Sequence, residues 1–168
     1  MIRILILLSA VFLLSSCGGD TNKSENELKN TEIETVESEQ VVAFNEVNAL
    51  LKAEINNPTL YLKRSKLYMK YGDLTSAVND LDRAIKIDST APEYFLLKAE
   101  LLKRQDKFIE SKAVLDKVMY IDNDNIPARL ELGYLALISR NYKQALDYAD
   151  AVLKKDVYNA EAYFLKGM

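Results

Sequence analysis

Between residues 58 and 168 the apolar positions recur with the spacing of helices, in two runs per unit. In the first unit Tyr61 and Tyr68, with the apolar residues between them, mark one face of a first helix. Ala77, Leu81 and Ala84 recur at intervals of four and three residues and mark a second helix. Small alanines on such a face let paired helices approach closely. The pattern therefore predicts a unit of two packed helices.

A short break separates the two helices of each unit. In the first unit it reads Tyr71-Gly72-Asp73, where the glycine can close one helix in the left-handed conformation and the aspartate can cap the next. The second unit has Asp106 at the glycine position, and the third has Arg140 followed by Asn141. We therefore expect a weaker helix break in the second unit, and a third break that is made without glycine.

The unit repeats at a constant interval along the chain. Three complete copies follow one another without a gap, at residues 58–91, 92–125 and 126–159, and residues 160–168 begin a fourth. A fixed period of about 34 residues with two helical patterns per copy resembles the tetratricopeptide repeat. The resemblance covers about two thirds of the chain. It implies an all-α fold, an α-solenoid of helix-turn-helix tetratricopeptide repeats, but a fold does not by itself imply a function.

The sequence also predicts what lies at each edge of this array. Residues 41–57 contain an apolar stripe and end at Asn56-Asn57-Pro58, so we interpret them as an N-terminal capping helix that covers the first unit. At the other edge, residues 160–168 form only part of a fourth unit and would leave the apolar face of the helix predicted over 142–155 poorly covered. This favours a piece of a longer protein with further repeats. The alternative is that residues 160–168 are themselves a short cap.

The N-terminus reads as a targeting signal. Arg3 precedes residues 4–14, in which only Ser9 is polar. This stretch is shorter than the roughly 20 apolar residues that span a bilayer, and it matches the apolar region of a secretory signal. We therefore interpret residues 1–16 as a signal peptide.

Leu14-Ser15-Ser16-Cys17 resembles the bacterial lipobox. The resemblance implies cleavage before Cys17, a thioether-linked diacylglycerol on its sulfur and a further acyl chain on the new amino terminus. Alternatives are an ordinary signal peptide with an incidental cysteine, or an N-terminal anchor helix. A lipid anchor places the protein in the bacterial cell envelope. Gly18 stands where aspartate favours inner-membrane retention in enteric bacteria, so the outer membrane is favoured.

Residues 17–40 are interpreted as the lipidated cysteine followed by an acidic, disordered tether. After the cysteine this segment has seven acidic residues, two lysines, no aromatic residue and three scattered aliphatic ones. Such a composition cannot bury enough apolar surface to fold. Repulsion among its acids should extend it away from an anionic membrane.

Composition narrows the possible chemistry. The chain has 168 residues, a net charge of −3, no histidine and one cysteine. A histidine-based catalytic triad, a histidine-ligated metal site and an intrachain disulfide are thus excluded. No basic stripe indicates nucleic-acid binding. We expect no catalytic residues, no metal site and no enzyme activity, and no cofactor apart from the lipid on Cys17.

We interpret the acidic clusters as structural features and not as binding sites. The pairs Asp80/Asp82 and Asp147/Asp150 are expected on solvated faces of second helices. The run at residues 122–125 superficially resembles a calcium loop, but it lacks the glycine and the distal glutamate of a hand-type site and falls at a turn between repeats.

In tetratricopeptide arrays the first helices line a concave groove that binds peptides. The groove positions of the family, carried onto this chain, give the candidate residues Leu62, Lys66, Lys70, Leu96, Glu100, Lys103, Arg104, Leu130, Tyr134 and Phe164. The first row of these positions is apolar and consists of Leu62, Leu96, Leu130 and Phe164. The second row lies one helical turn further on, at Lys66, Glu100, Tyr134 and Met168, and has no asparagine. Both features argue against the carboxylate clamp of heat-shock co-chaperones. An apolar groove with a basic flank suits an amphipathic segment that carries acidic residues. Alternatively, the apolar row packs against the neighbouring helix or against a missing C-terminal element.

Two functions remain open. The first is a membrane-anchored scaffold that binds a protein or peptide partner through the groove. The second is a lipoprotein that captures a glycan or another nutrient for an outer-membrane transporter.

Overall fold

The computed structural model describes residues 39–168. Over these residues the chain forms eight α-helices and no strand. The first, α1, covers residues 39–53. The others are α2 (Pro58–Lys70), α3 (Leu74–Ile87), α4 (Pro92–Arg104), α5 (Phe108–Ile121), α6 (Ile126–Ile138), α7 (Tyr142–Leu153) and α8 (Ala160–Gly167). The all-α fold of paired helices is confirmed. The predicted signal peptide, Cys17 and the tether up to residue 38 lie outside the described residues.

The bounds of α1 differ from the prediction at both ends. The helix already includes residues 39 and 40, which were assigned to the tether, and it ends at residue 53 rather than near residue 57. Its last turn closes when the backbone N–H of Glu54 donates to Leu50 O at 2.9 Å. The side chain of Asn57 then accepts from the backbone N–H of Thr59 at 3.1 Å and starts α2. The predicted stop at Asn56-Asn57 is therefore the start signal of the following helix.

The register of the repeat continues into α1. Val47 lies one repeat period before Leu81, and the same step leads on to Leu115 and Ala149; all four side chains are fully buried. Val47 and Leu51 pack in one cluster with the buried residues of α2 and α3. Thus α1 covers the first unit, and it does so in the position of a second helix.

Small residues meet where the two helices of a unit pack. In the first unit the Ser65 hydroxyl on α2 donates to Ala77 O on α3 at 2.9 Å. In the second unit the types are exchanged, and the Ser111 hydroxyl on α5 donates to Ala99 O on α4 at 2.8 Å. In the third unit Gly133 takes this place, and an added Cβ would lie 3.4 Å from Tyr148 Cβ on α7 and 2.9 Å from Leu165 Cδ1 on α8 of the next unit. The close approach therefore depends on side-chain size, and the buried hydroxyls bond to backbone carbonyls.

The turn inside each unit has the same conformation in all three units. Gly72 has φ 84°, Asp106 has φ 59° and Arg140 has φ 57°. The chain therefore makes the left-handed turn in the second and third units without glycine. For these two residues the conformation is unfavourable, since their Cβ crowds the backbone there.

Most helices of the repeats begin at a side-chain cap. Asp73 and Asn141 accept hydrogen bonds from the backbone N–H groups of Ser76 and Gln144. First helices are capped in the same way by Asn57, Asn125 and Asn159. The second unit is the exception, because Ala91 and Lys107 make no capping hydrogen bond through their side chains.

No helix among residues 39–168 combines the length and the apolar character needed to cross a membrane.

Candidate interaction groove

The predicted apolar row does not form an open surface. Leu62 is 8% exposed and packs in the cluster around α2 and α3, and Leu130 is 5% exposed and packs with α7 and α8. Leu96 is half-buried, and Phe164 is 57% exposed. The prediction of an exposed row was therefore wrong at Leu62 and Leu130. Helices of the same and the adjacent unit close over these two side chains, as the alternative interpretation foresaw.

The predicted basic flank is largely neutralised by acidic residues. Lys66 Nζ lies 3.0 Å from a carboxylate oxygen of Glu93, and Arg104 Nε lies 3.3 Å from one of Glu100. The remaining two basic residues are Lys103 and Lys70. Lys103 pairs with Glu131 on α6, and Lys70 Nζ lies 5.2 Å from the ring centre of Tyr71. Lys66, Lys103 and Arg104 thus each have a carboxylate beside them, so the predicted basic flank needs correction at these three residues, whereas Lys70 contacts an aromatic ring.

A concave cleft of about 280 Å³ lies between the first helices α2, α4 and α6. It is lined by Lys66, Glu93, Leu96, Leu97, Glu100, Pro127 and Glu131. Of the ten predicted groove residues, the cleft brings together Lys66, Leu96 and Glu100. Lys103 and Arg104 touch its rim through their acidic partners. The cleft therefore combines an apolar floor with a rim of paired charges.

Sequence reasoning missed four lining residues, although the repeat register contained the signal. Glu93 and Pro127 lie one repeat period apart, as do Leu97 and Glu131. The two pairs occupy two further rows of the first helices, beside the row that contains Leu96. The groove positions carried over from the family did not include these two rows.

Tyr134 and Phe164 lie apart from this cleft. Their ring centres are 6.5 Å apart with the planes tilted, between α6 and α8. Burial raises the pKa of the half-buried Tyr134 phenol. The contact joins two predicted groove residues, but it belongs to the packing of the last two first helices.

Asp80 is buried, so the expectation that it faces solvent was wrong. Its carboxylate accepts two hydrogen bonds of 2.7 Å from Nε and Nη2 of Arg64, and Arg64 Nη1 donates to Asn48 Oδ1 at 2.7 Å. The hydrogen bond with Asp80 raises the pKa of the Arg64 guanidinium. By contrast, Asp82 is exposed and pairs with Lys98. The arrangement ties α1, α2 and α3 together.

The acidic run at 122–125 serves its own turn. Asp122 accepts hydrogen bonds of 3.0 Å from the backbone N–H of Asp124 and from the side chain of Asn125. Asn125 in turn caps α6 by accepting from Ala128 N at 3.0 Å. Throughout residues 39–168 no group of three or more acidic, cysteine or histidine side chains could hold a metal ion.

Comparison with known proteins agrees with the helix pairing. The tetratricopeptide repeat family matches residues 58–90. This match identifies one tetratricopeptide repeat, at residues 58–90. No curated protein matches the sequence.

Solved structures extend the likeness beyond the first repeat. The tetratricopeptide-repeat domain of Arabidopsis OM64 is 22% identical with a TM-score of 0.61, over 66% of this chain and 91% of that one. A tetratricopeptide repeat protein from Parabacteroides merdae is 18% identical with a TM-score of 0.66, over 81% and 56%. The first repeat domain of RPAP3, bound to an HSP90 peptide, is 17% identical with a TM-score of 0.59, over 63% and 86%. At these identities the structures show the repeat fold alone.

Proposed function

We propose that this protein is a membrane-anchored scaffold of the bacterial cell envelope, and that it binds a segment of a partner protein in the cleft between α2, α4 and α6. The observation that carries the proposal is the composition of the cleft. Leu96, Leu97 and Pro127 provide an apolar floor, and Lys66 and Glu100 provide charge of both signs above it. Peptide-binding grooves combine apolar anchor sites with polar groups that fix orientation.

The partner segment that fits this cleft places an apolar side chain on the floor and polar groups along the rim. The Lys66–Glu93 pair joins α2 to α4, and the Lys103–Glu131 pair joins α4 to α6. These pairs balance each other, so a segment of strong charge of either sign gains little. RPAP3, which shares the repeat fold, is described with a bound peptide, which supports a peptide-like ligand here.

The anchor is the second part of the proposal. The lipobox resemblance at Cys17 supports attachment of diacylglycerol and acyl chains, with the outer membrane favoured because Gly18 follows. Residues up to 38 supply reach between the lipid and the repeats. Several acyl chains hold a protein firmly, since each buried methylene contributes about 0.8 kcal/mol.

The test places a negative charge on the cleft floor without disturbing the helix that carries it. Pro127 is exposed and is the second residue of α6. Pro127→Glu keeps the first turn favourable, because acids are stabilising near a helix N-terminus. Ile109→Glu is the matched control, because Ile109 is the second residue of α5, is 85% exposed and does not line the cleft. Peptides are first selected from a display library against the unaltered chain.

We expect Pro127→Glu to weaken binding of the selected peptides at least tenfold, a loss of about 1.4 kcal/mol. Ile109→Glu should bind them as the unaltered chain does, and both variants should keep their helical circular dichroism. Equal binding by both variants, or a library that yields no binding peptide, would contradict the proposed cleft.

A further inference from the structure

A trough runs between α1 and α3, above α2, on the side of the array that the second helices form. Two adjoining cavities make it up, of about 580 Å³ and about 470 Å³. Ile55, Tyr61 and Arg83 line both cavities, so one continues into the other. The trough lies between helices that pack in one cluster, and it shares no residue with the cleft between the first helices.

The floor of the trough is held in place by side chains of α2. The hydroxyl of the buried Tyr61 donates to Ile55 O at 2.9 Å, where the two cavities join. Further along α2, the Arg64 guanidinium is fixed by hydrogen bonds to Asp80 and Asn48. The charge of Arg64 is therefore balanced by a carboxylate, and the net charge of the trough depends on other residues.

Three further cations line the trough, namely Lys52, Arg83 and Lys86. Among residues 39–168, no carboxylate lies within ion-pair distance of any of the three. Within the same part of the chain, no acidic residue lines either cavity. A concave site lined by charges of one sign focuses the field and attracts ligands of the opposite sign.

The repeat register shows that an acid is replaced in the wall of this trough. The position of Asn48 holds aspartate in each later unit, as Asp82, Asp116 and Asp150. Each of these aspartates pairs with a lysine. Asn48 accepts a hydrogen bond from Arg64 but carries no charge. A position that is negative in the later units is thus neutral here.

The acids that flank the trough in sequence are used in turns. Glu54 accepts a hydrogen bond of 2.7 Å from the Asn57 side chain, and Asp88 accepts one of 2.9 Å from the backbone N–H of Thr90. Neither acid lines a cavity of the trough. The positive charge of the trough therefore remains open to an acidic ligand.

The apolar residues distinguish among acidic ligands. Ile55 is 66% exposed and Ile87 is 40% exposed, whereas Tyr61 is only 5% exposed. Exposed aliphatic walls suit the apolar side chains of a peptide, while a nucleic acid needs accessible aromatic faces on which its bases stack. A concave trough of two joined cavities also suits an extended chain with several carboxylates better than a flat membrane surface.

We propose that the trough is a second binding site, and that it takes an extended acidic segment of a partner protein. The carboxylates of the segment lie on the three cations, and its apolar side chains lie against Ile55 and Ile87. The site is separate from the cleft between α2, α4 and α6. It therefore goes beyond the proposed function and can fail independently of it.

Binding of an acidic peptide to the full chain tests the site. The probe is a short fluorescein-labelled peptide of glutamates around a central isoleucine, and the same peptide with glutamines is its control. Lys52→Gln with Arg83→Gln removes two cations from the trough. Lys154→Gln with Lys117→Gln is the matched pair, because these two exposed lysines occupy the same repeat positions in later units and line neither cavity.

We expect the unaltered chain to bind the glutamate peptide and not the glutamine peptide, with an affinity that falls as added salt screens the charges. Lys52→Gln with Arg83→Gln should weaken binding about tenfold or more, because hydrogen bonds to charged groups are lost. The matched pair should bind the probe as the unaltered chain does, and Lys52→Arg with Arg83→Lys should retain binding. Peptides selected for the cleft should not displace the probe.

Equal weakening by the trough variant and its matched pair would overturn the site, because it would show an effect of net charge alone. An unaltered chain that binds neither peptide would overturn it too. Tighter binding of a single-stranded DNA oligonucleotide of equal charge would overturn a protein segment as the ligand.

Residues 18–38 of the chain are acidic as well, and they provide a further arm of the test. In one variant their aspartate and glutamates are changed to the amides. We expect this variant to bind the probe as the unaltered chain does. Binding that appears only in this variant would show that these residues occupy the trough, and it would overturn a partner segment as the ligand.

Discussion

The guanidinium of Arg64 and the carboxylate of Asp80 meet in two parallel hydrogen bonds, each 2.7 Å long, between α2 and α3. The Asp80 side chain is 5% exposed and that of Arg64 21%. Equivalent positions in later units hold Lys98 with Val114 and Leu132 with Tyr148. An ion pair therefore occupies a site that elsewhere in the same chain holds one charge or none.

Removing one partner of this pair should cost more than removing both. Arg64→Leu leaves a buried carboxylate unpaired and should lower the free energy of unfolding by about 3–5 kcal/mol. Arg64→Leu combined with Asp80→Val reproduces residue types found at these positions in other units, and should recover most of that loss. Urea unfolding of the single and double variants measures the difference. A double variant as unstable as the single one would show that the charges themselves are required.

The uncapped helices of the second unit offer a gain in stability. Lys107 precedes α5 and Ala91 precedes α4, and neither side chain makes a capping hydrogen bond. Lys107→Asp and Ala91→Asn copy the caps of the first unit and should each add about 1 kcal/mol to the free energy of unfolding. Lys117→Asp, on an exposed part of α5, changes the net charge as Lys107→Asp does but creates no cap. Thermal unfolding midpoints measure the gain. If Lys117→Asp raises the midpoint as much as Lys107→Asp does, the gain comes from the change in net charge and not from the cap.

The cap at Asp73 makes stability depend on acid pH. Hydrogen bonds from the side chain and the backbone N–H of Ser76 lower the pKa of the Asp73 carboxyl. Because the folded value lies below the unfolded value of about 3.9, this contribution is present above that pH and is lost as the pH falls through the folded pKa.

Asp73→Asn isolates this effect. Asparagine keeps the cap, as Asn141 does at the same position of the third unit, but it does not titrate. The variant should match the unaltered chain at pH 7 and lose less stability below about pH 4. Chemical unfolding at a series of pH values gives the slope of the free energy of unfolding against pH for each of the two proteins. The two slopes would coincide if Asp73 contributes nothing.

The lipid anchor can be tested in cells. Cys17→Ala removes the thiol that accepts diacylglycerol, so the full chain should remain an unprocessed precursor and take up no labelled fatty acid. Gly18→Ala changes the neighbouring residue, keeps the thiol and should be processed and labelled normally. A Cys17→Ala chain that is cleaved and labelled like the unaltered one would show that the lipobox interpretation is wrong.

Local features of the fold were predictable because each depends on residues close together in the sequence. The breaks at Gly72, Asp106 and Arg140 follow from the repeat period, and the cap at Asp73 follows from one side chain next to a helix start. The register of α1 could also have been predicted, because Val47 lies one repeat period before Leu81. Because the array was taken to begin at Pro58, the repeat period was not extended back to α1.

The candidate site was predicted only in part. The family positions located the first helices as the lining and found Lys66, Leu96 and Glu100. They could not tell that Leu62 and Leu130 are covered, because each is buried by helices of two units at once. Burial of this kind depends on how neighbouring units stack, which a position within one repeat does not contain.

The sequence by itself determined the repeat, its period and the order of its helices, since these follow from apolar spacing, turns and caps within a single unit. Only the tertiary structure decided which charges are buried and which stay in water. Asp80 and Asp82 are close neighbours on one helix, yet the first lies under Arg64 of α2 and the second pairs with Lys98 at the surface. A side chain's surroundings are set by the helices packed against it, and these come from distant parts of the chain.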